Sequence, residues 1–240
     1  MPDPEGEQPP IHEVVAIALG RRERQDPVLA STGGPAGNAL LTAYLGLALL
    51  VLFFLEGLTL VDVRGLISWH VALGALLVPP ASAKTMTTGW RIARYYSGQR
   101  EYRAAGPPPL VLRVLGPLVV LTTLVLLGSG IALVLLGEQS SRQPFLHVLG
   151  LRLDWLGLHK SVFWAWFVVM TAHVLGRTLP ALRLAVRRYA VPGIGYRVAA
   201  VTVSLVLAGV AAVWLVGAEG TWGHDRSGEH EDHPAVVRDR

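Results

Sequence analysis

Three histidines, His70, His159 and His173, stand inside apolar stretches of a 240-residue chain that has eight histidines in all. An imidazole in a hydrocarbon setting is costly without a partner, so an ionisable group there is a functional candidate by default. A neutral imidazole also carries one lone-pair nitrogen, which suits it to a metal. His159 and His173 are fourteen residues apart in "GLHKSVFWAWFVVMTAHVLGR". On a helix that spacing gives about 21 Å of rise and just under four turns, so both project from one stripe near opposite ends. His70 lies six residues after Arg64, and His159 five after Asp154, a candidate helix N-cap. If both segments run from the outer to the inner face, the two histidines share a depth. A b-type haem held between them by two axial imidazoles is the sharpest expectation. The depth partner of His173 on the earlier segment is Lys84, whose amine would have to lose a proton to bind iron. His173 therefore holds a second haem through another partner, bonds a backbone carbonyl, or meets a quinone or a proton at the inner surface. A lone histidine near a span end is ordinarily an interfacial residue that snorkels or bonds a loop carbonyl; matched depth and a shared stripe argue against that for this set.

The elements that must place these residues are apolar blocks. The chain is 52% hydrophobic and 16% charged, too apolar for an ordinary soluble domain. Five blocks stand out, at about 39–60, 66–83, 114–136, 155–175 and 198–216. Each is near the roughly 20 residues a helix needs to cross a bilayer. None alternates as a barrel strand would. Helices satisfy their own backbone in lipid, so the expected fold is an all-α integral membrane protein of five transmembrane helices. The first four would form a haem-binding four-helix bundle. Cysteine is absent, which excludes disulfides, iron–sulfur clusters, covalently attached haem and thiolate metal sites.

Most basic residues fall in three segments on one side: Arg21, Arg22 and Arg24; Lys84 to Arg113; and Arg177 to Arg197. The positive-inside tendency makes that side the cytoplasm. The same placement explains the basic balance without nucleic acid. The chain is thus expected in the plasma membrane, with residues 1–38 as a cytoplasmic polar tail rather than a signal peptide, and 218–240 as an extracytoplasmic acidic tail. That tail, with "HDRSGEHEDHP", bears His224, His230 and His233 but matches no structural zinc spacing. It is expected to be solvated.

Other residues fit around the outer site. "LLGSGIAL" places Gly128, Ser129 and Gly130 where a flat porphyrin or a neighbouring helix could approach the backbone. Lys160 and Arg152 are candidates for haem propionates, although Lys160 could equally snorkel to headgroups. Trp69, Trp155, Phe163, Trp164 and Trp166 could wall a cofactor, while Trp90 and Trp155 better suit an interfacial belt. Glu56 lies near the outer end of the first span. Pro79-Pro80 should kink the second helix, and Pro180 and Pro192 should punctuate the fourth loop.

The patterns "SWHVALGALLVP", "KTMTTGWRIARYYSGQREY", "LLGSGIAL" and "LHKSVFWAWFVVMTAHVLGR" over residues 66–179 resemble the bacterial membrane b-type cytochromes. These include the cytochrome b561-type proteins and the gamma subunits of formate dehydrogenase and hydrogenase. The resemblance implies one or two haems on a four-helix bundle, with His70, His159 and His173 as ligand candidates. It also implies electron passage between a partner oxidoreductase and quinone. The chain departs from the pattern in lacking a fourth spanning histidine. One haem b is expected; a second needs an inner partner. An electron-transfer subunit fits better than a stand-alone enzyme, since no Rossmann-type phosphate fingerprint is present. The rival is a haem-free scaffold, sensor partner or small transporter. A metal reductase acting at the outer surface is a further variant of the haem reading.

Overall fold

Residues 26–106, 110–148, 151–186 and 191–219, with Val15, are described by a computed structural model. Helix α1 spans Gly34–Thr59 and runs into a 3-10 turn at Leu60–Asp62. Helix α2 spans Ile67–Tyr96, and the short α3 spans Arg100–Ala104. Helix α4 spans Leu110–Ser141, bent at Gly137, whose φ of 74° leaves the helical region. A two-stranded antiparallel hairpin, β1 Leu146–Val148 and β2 Leu151–Leu153, leads into α5, Trp155–Val186. Helix α6 spans Ile194–Ala218.

Four segments are long and apolar enough to cross a membrane: Gly34–Asp62, Arg113–Ser141, Trp155–Val186 and Ile194–Ala218. Their outward faces carry large apolar side chains, with Phe54 at 66% and Val213 at 78% exposure. A surface of that kind would aggregate in water and belongs against lipid. The protein is therefore all-α and membrane-like. Helix α2 has the length, at 30 residues, but His70, two prolines, Lys84 and several threonines dilute its apolar character. Five spans were expected, and α2 is not among the four that qualify by composition. Packing supplies the reason: α2 lies against α1, α4 and α6, so much of its surface meets protein rather than lipid.

The contacts close a ring. Helix α1 packs on α2, α2 on α4, α4 on α5, and α5 back on α1. Helices α2 and α5 thus stand on one diagonal, α1 and α4 on the other. Helix α6 packs along α2 from outside. It presents Ser204, Ala208 and Ala212 at four-residue spacing, all buried. Small residues let helix backbones approach where lipid offers no hydrophobic drive between helices. One packed cluster joins Val71, Ala75, Val134, Ala212 and Leu215, and a second joins Leu49, Leu77 and Ala81.

Helix bounds differ from the hydropathy edges in one consistent way. Helices α2 and α5 run on past the expected inner edges at residues 83 and 175, to Tyr96 and Val186. Hydropathy marks where lipid ends; helical hydrogen bonding continues beyond it. Pro79, Pro80 and Pro180 all lie inside continuous helices, so Pro180 does not punctuate a loop as expected. Helix α1 begins five residues before its expected edge, after Gly33 and Gly34 at φ 77° and 53°. The chain just before it is tied down rather than tail-like, because Asp26 pairs with Arg91 at 2.7 Å.

Arg197 fastens the N-terminal end of α6. It is 6% exposed and donates to the carbonyls of Pro192 at 3.0 Å and Val191 at 2.7 Å. A Cβ at Gly37 would lie 3.0 Å from its Nη1, so the missing side chain admits the guanidinium against α1. Arg197→Met is expected to lower stability by about 2–4 kcal/mol, since two carbonyls lose a charged donor. Thermal unfolding in detergent reads this. Ser204→Ala is the control, and should be neutral or better because the Ser204 hydroxyl is buried without a partner.

Candidate functional site

His70 and His159 are brought together, one from each helix of the α2–α5 diagonal. Their ring centroids are 6.4 Å apart and their planes stand at 88°. The equal depth read from the sequence is therefore real. Asp154 does cap α5, accepting from the Gly157 amide at 2.7 Å. That fixes where the helix starts and hence the height of His159.

Each ring is held at Nδ1 by the other diagonal. Thr59 lies just ahead of the 3-10 turn, and its hydroxyl donates to the Glu56 carbonyl at 2.6 Å. The His70 Nδ1 sits 2.9 Å from the Thr59 hydroxyl oxygen and 2.9 Å from the Glu56 carboxylate. A hydroxyl has one proton, and the Thr59 proton is committed to its own helix. Nδ1 must then be the donor, to Thr59 and Glu56 together. The same logic repeats on α4. The Ser129 hydroxyl donates to the Leu126 carbonyl at 2.9 Å and lies 2.9 Å from the His159 Nδ1. A ring that is neutral and donates from Nδ1 keeps its lone pair on Nε2. Among the described residues no hydrogen bond engages either Nε2. A ligating histidine characteristically donates its other ring N–H to a carboxylate or similar acceptor, which fixes tautomer and orientation.

The separation suits a shared metal. A metal–imidazole bond of about 2.0 Å and a ring-atom-to-centroid distance of roughly 1.1 Å put the centroids of a linear two-imidazole site about 6.2 Å apart. The same spacing is ordinary for an edge-to-face ring pair, so it is the tautomers that favour ligation. Room is made on α4. A Cβ at Gly130 would meet His159 Cε1 at 3.2 Å, whereas one at Gly128 would meet nothing within 4 Å. Of the two glycines, only Gly130 serves the site.

The flanking residues sort cleanly. Lys160, with Arg142, Asp154, Leu156 and Gly157, lines a hollow of about 300 Å³ at the N-terminal end of α5. Arg152 is exposed in β2. Trp166 is buried two turns below His159. Its Nε1 donates to Thr123 at 3.0 Å, and Phe53 packs on it at 4.8 Å. Trp69 and Trp164, both 65% exposed, face outward and wall nothing. Trp155 packs on Phe145 at 4.8 Å, beside the hairpin. His224, His230 and His233 lie outside the described residues, and no group of three or more His, Asp or Glu suited to a metal ion occurs among the described ones. A two-imidazole haem site would not form such a group.

His173 is not part of this arrangement. Its Nδ1 is buried without a partner, and its charged neighbours are Lys84 and Arg177. Lys84 is indeed its depth partner, and donates to the Thr42 carbonyl at 3.3 Å. Thr59 and the Glu56–His70 pairing were not found from the sequence. The available signal was a lone carboxylate, Glu56, in an otherwise apolar span.

No family model matches the chain, and neither a curated protein nor a solved structure matches it.

Proposed function

We propose that this protein is a membrane b-type cytochrome subunit holding one haem b between His70 and His159, near the outer end of the α1–α2–α4–α5 ring. The observation that carries this is the paired geometry: two imidazoles from facing helices, each held at Nδ1 by a hydroxyl at 2.9 Å, with ring centroids 6.4 Å apart. Bound there, haem would supply a one-electron carrier whose iron cycles between two oxidation states.

The chain's own residues do the rest. Glu56 and Thr59 orient His70, and Ser129 orients His159. Gly130 leaves backbone where a side chain would displace the ligand ring. Trp166, Phe53 and Phe163 pack below the site and exclude water from that side. Lys160 lines the hollow at the N-terminal end of α5, where its ammonium suits a propionate. His173 finds no imidazole partner among the described residues, which favours a single haem.

The same reading makes α2 the fifth span, packed against the apolar helices α1, α4 and α6. It places the basic inner segments in the cytoplasm and the C-terminus outside the plasma membrane. With no nucleotide-binding fingerprint of its own, the subunit would exchange electrons with a partner oxidoreductase, and with quinone as the second carrier. An anaerobic redox titration of the purified protein tests the function. One reversible one-electron wave, followed at the b-type absorption band, is expected. A chromophore that cannot be cycled, or none at all, would leave the haem-free scaffold or transporter class.

The charge of Glu56 has a separate consequence. Glu56→Gln keeps an acceptor near His70 and removes the carboxylate. Haem retention should weaken by roughly 10–100-fold, as for outer partners of metal-ligating histidines. Transfer of haem to excess apomyoglobin measures it.

A further inference from the structure

The inner end of the ring holds more positive charge than its described partners balance. Lys84 comes from α2, and His173 and Arg177 from α5. The Lys84 ammonium has three protons to give, and its one acceptor is the Thr42 carbonyl at 3.3 Å. It lies over bare backbone of α1, since a Cβ at Gly46 would sit 2.5 Å from its Nζ. The wall beside it is a fixed polar lattice. Asn38 donates to the Thr87 carbonyl at 3.1 Å, the Thr42 and Thr87 hydroxyls are 3.1 Å apart, and Thr87 donates back to the Lys84 carbonyl at 2.9 Å. Arg177 is within electrostatic reach of Lys84, Arg91 and Asp26. Arg91 is held by Asp26 through two bonds, at 2.7 and 3.2 Å. The Arg177 guanidinium makes no hydrogen bond or ion pair among the described residues. Arg91 and Arg177 therefore share the Asp26 carboxylate, which already holds Arg91, and Lys84 adds a further positive charge beside Arg177.

Like charges gathered at one site repel, and a bound anion relieves that repulsion. Lys84 has unused ammonium protons, Arg177 has a free fork of N–H groups, and the buried His173 Nδ1 lacks a partner. All of them belong to one end of the bundle. We infer that this cluster binds a phosphate-bearing anion, with Lys84 as the point charge and Arg177 as the two-pronged donor. The source is either an anionic phospholipid headgroup at the inner leaflet or free phosphate. Basic pockets between spanning helices on the cytoplasmic side suit such headgroups. The inference stands apart from the haem reading and uses neither His70 nor His159.

The test uses the full chain in detergent, with thermal unfolding as readout. One arm adds phosphatidylglycerol or phosphatidylcholine at equal mole fraction; another adds inorganic phosphate against chloride at equal ionic strength. Phosphatidylglycerol is expected to raise Tm by several degrees over phosphatidylcholine. Lys84→Gln and Arg177→Gln should abolish that difference, Lys84→Arg should restore it, and Arg94→Gln, on the exposed inner part of α2, should leave it intact. A rise with inorganic phosphate alone, lost in the same two variants, supports the site with free phosphate as its occupant. Equal responses to the two lipids with none to phosphate would overturn the inference. So would an anionic-lipid response as large in Lys84→Gln and Arg177→Gln as in the wild type. Wild-type discrimination between the lipids is read without any variant, so a poorly folding variant does not decide the matter.

Discussion

His70→Ala and His159→Ala are each expected to leave less than about a tenth of the wild-type haem, since removing a ligand costs at least as much as removing its outer partner. Each variant deletes one of the two imidazoles proposed to hold the iron, and among the described residues no other imidazole lies in the ring at that level. Each also strands a partner. Without His70, the Glu56 carboxylate at 2.9 Å loses its donor, and its second oxygen is already buried without one. Without His159, the Ser129 hydroxyl keeps only its own helix. His70→Ala should therefore also cost more stability than His159→Ala. His173→Ala should keep the haem, because His173 stands with Lys84 and Arg177 rather than with the pair. Haem per chain from the pyridine haemochrome, measured on all three variants, checks this. A haem lost with His173 and kept with His70 would reverse the assignment.

Gly130→Leu should empty the site while removing no ligand. A Cβ at that position stands 3.2 Å from His159 Cε1, and a leucine adds three more carbons. The ring must swing away, which breaks its contact with Ser129 and changes its separation from His70. Overpacking of this kind costs typically 1–3 kcal/mol in stability, but a ligand displaced by about 1 Å costs far more in binding. Gly128→Leu is the matched control on the same helix, two residues away, where a Cβ meets nothing within 4 Å. Gly130→Ala should be intermediate, with haem present but more easily lost. The expected order of haem content is Gly128→Leu, then Gly130→Ala, then Gly130→Leu. Equal content in the two leucine variants would show that α4 does not shape the site.

Much of the site's height was legible in the sequence, because depth along a helix is arithmetic. Counting from Arg64 and Asp154 put His70 and His159 level, and the ring separation agrees. Counting to Lys84 found the neighbour of His173. What sequence could not give was rotation between helices. Whether Gly128 or Gly130 faces the ligand depends on how α4 is turned against α5, and four-residue patterns on an all-apolar helix do not fix that turn. The tautomers needed Thr59 and Ser129 in place, each with its proton spent on its own helix. Hydropathy also misjudged lengths. It cannot see the inner parts of α2 and α5, where Arg91 and Arg177 sit on helix that continues past the apolar block. The hairpin before α5 is too short to leave a pattern. The position of α6, packed outside α2, follows from Ser204, Ala208 and Ala212, whose spacing was there to be seen.

The most direct measurement is the haem content and reduced-minus-oxidised spectrum of the wild-type protein, purified from a haem-replete host. One haem b per chain with the sharp bands of a six-coordinate, two-imidazole iron is the expected result. A colourless, folded protein would contradict it, and would leave the His70–His159 pair as a hydrogen-bonded element of helix packing.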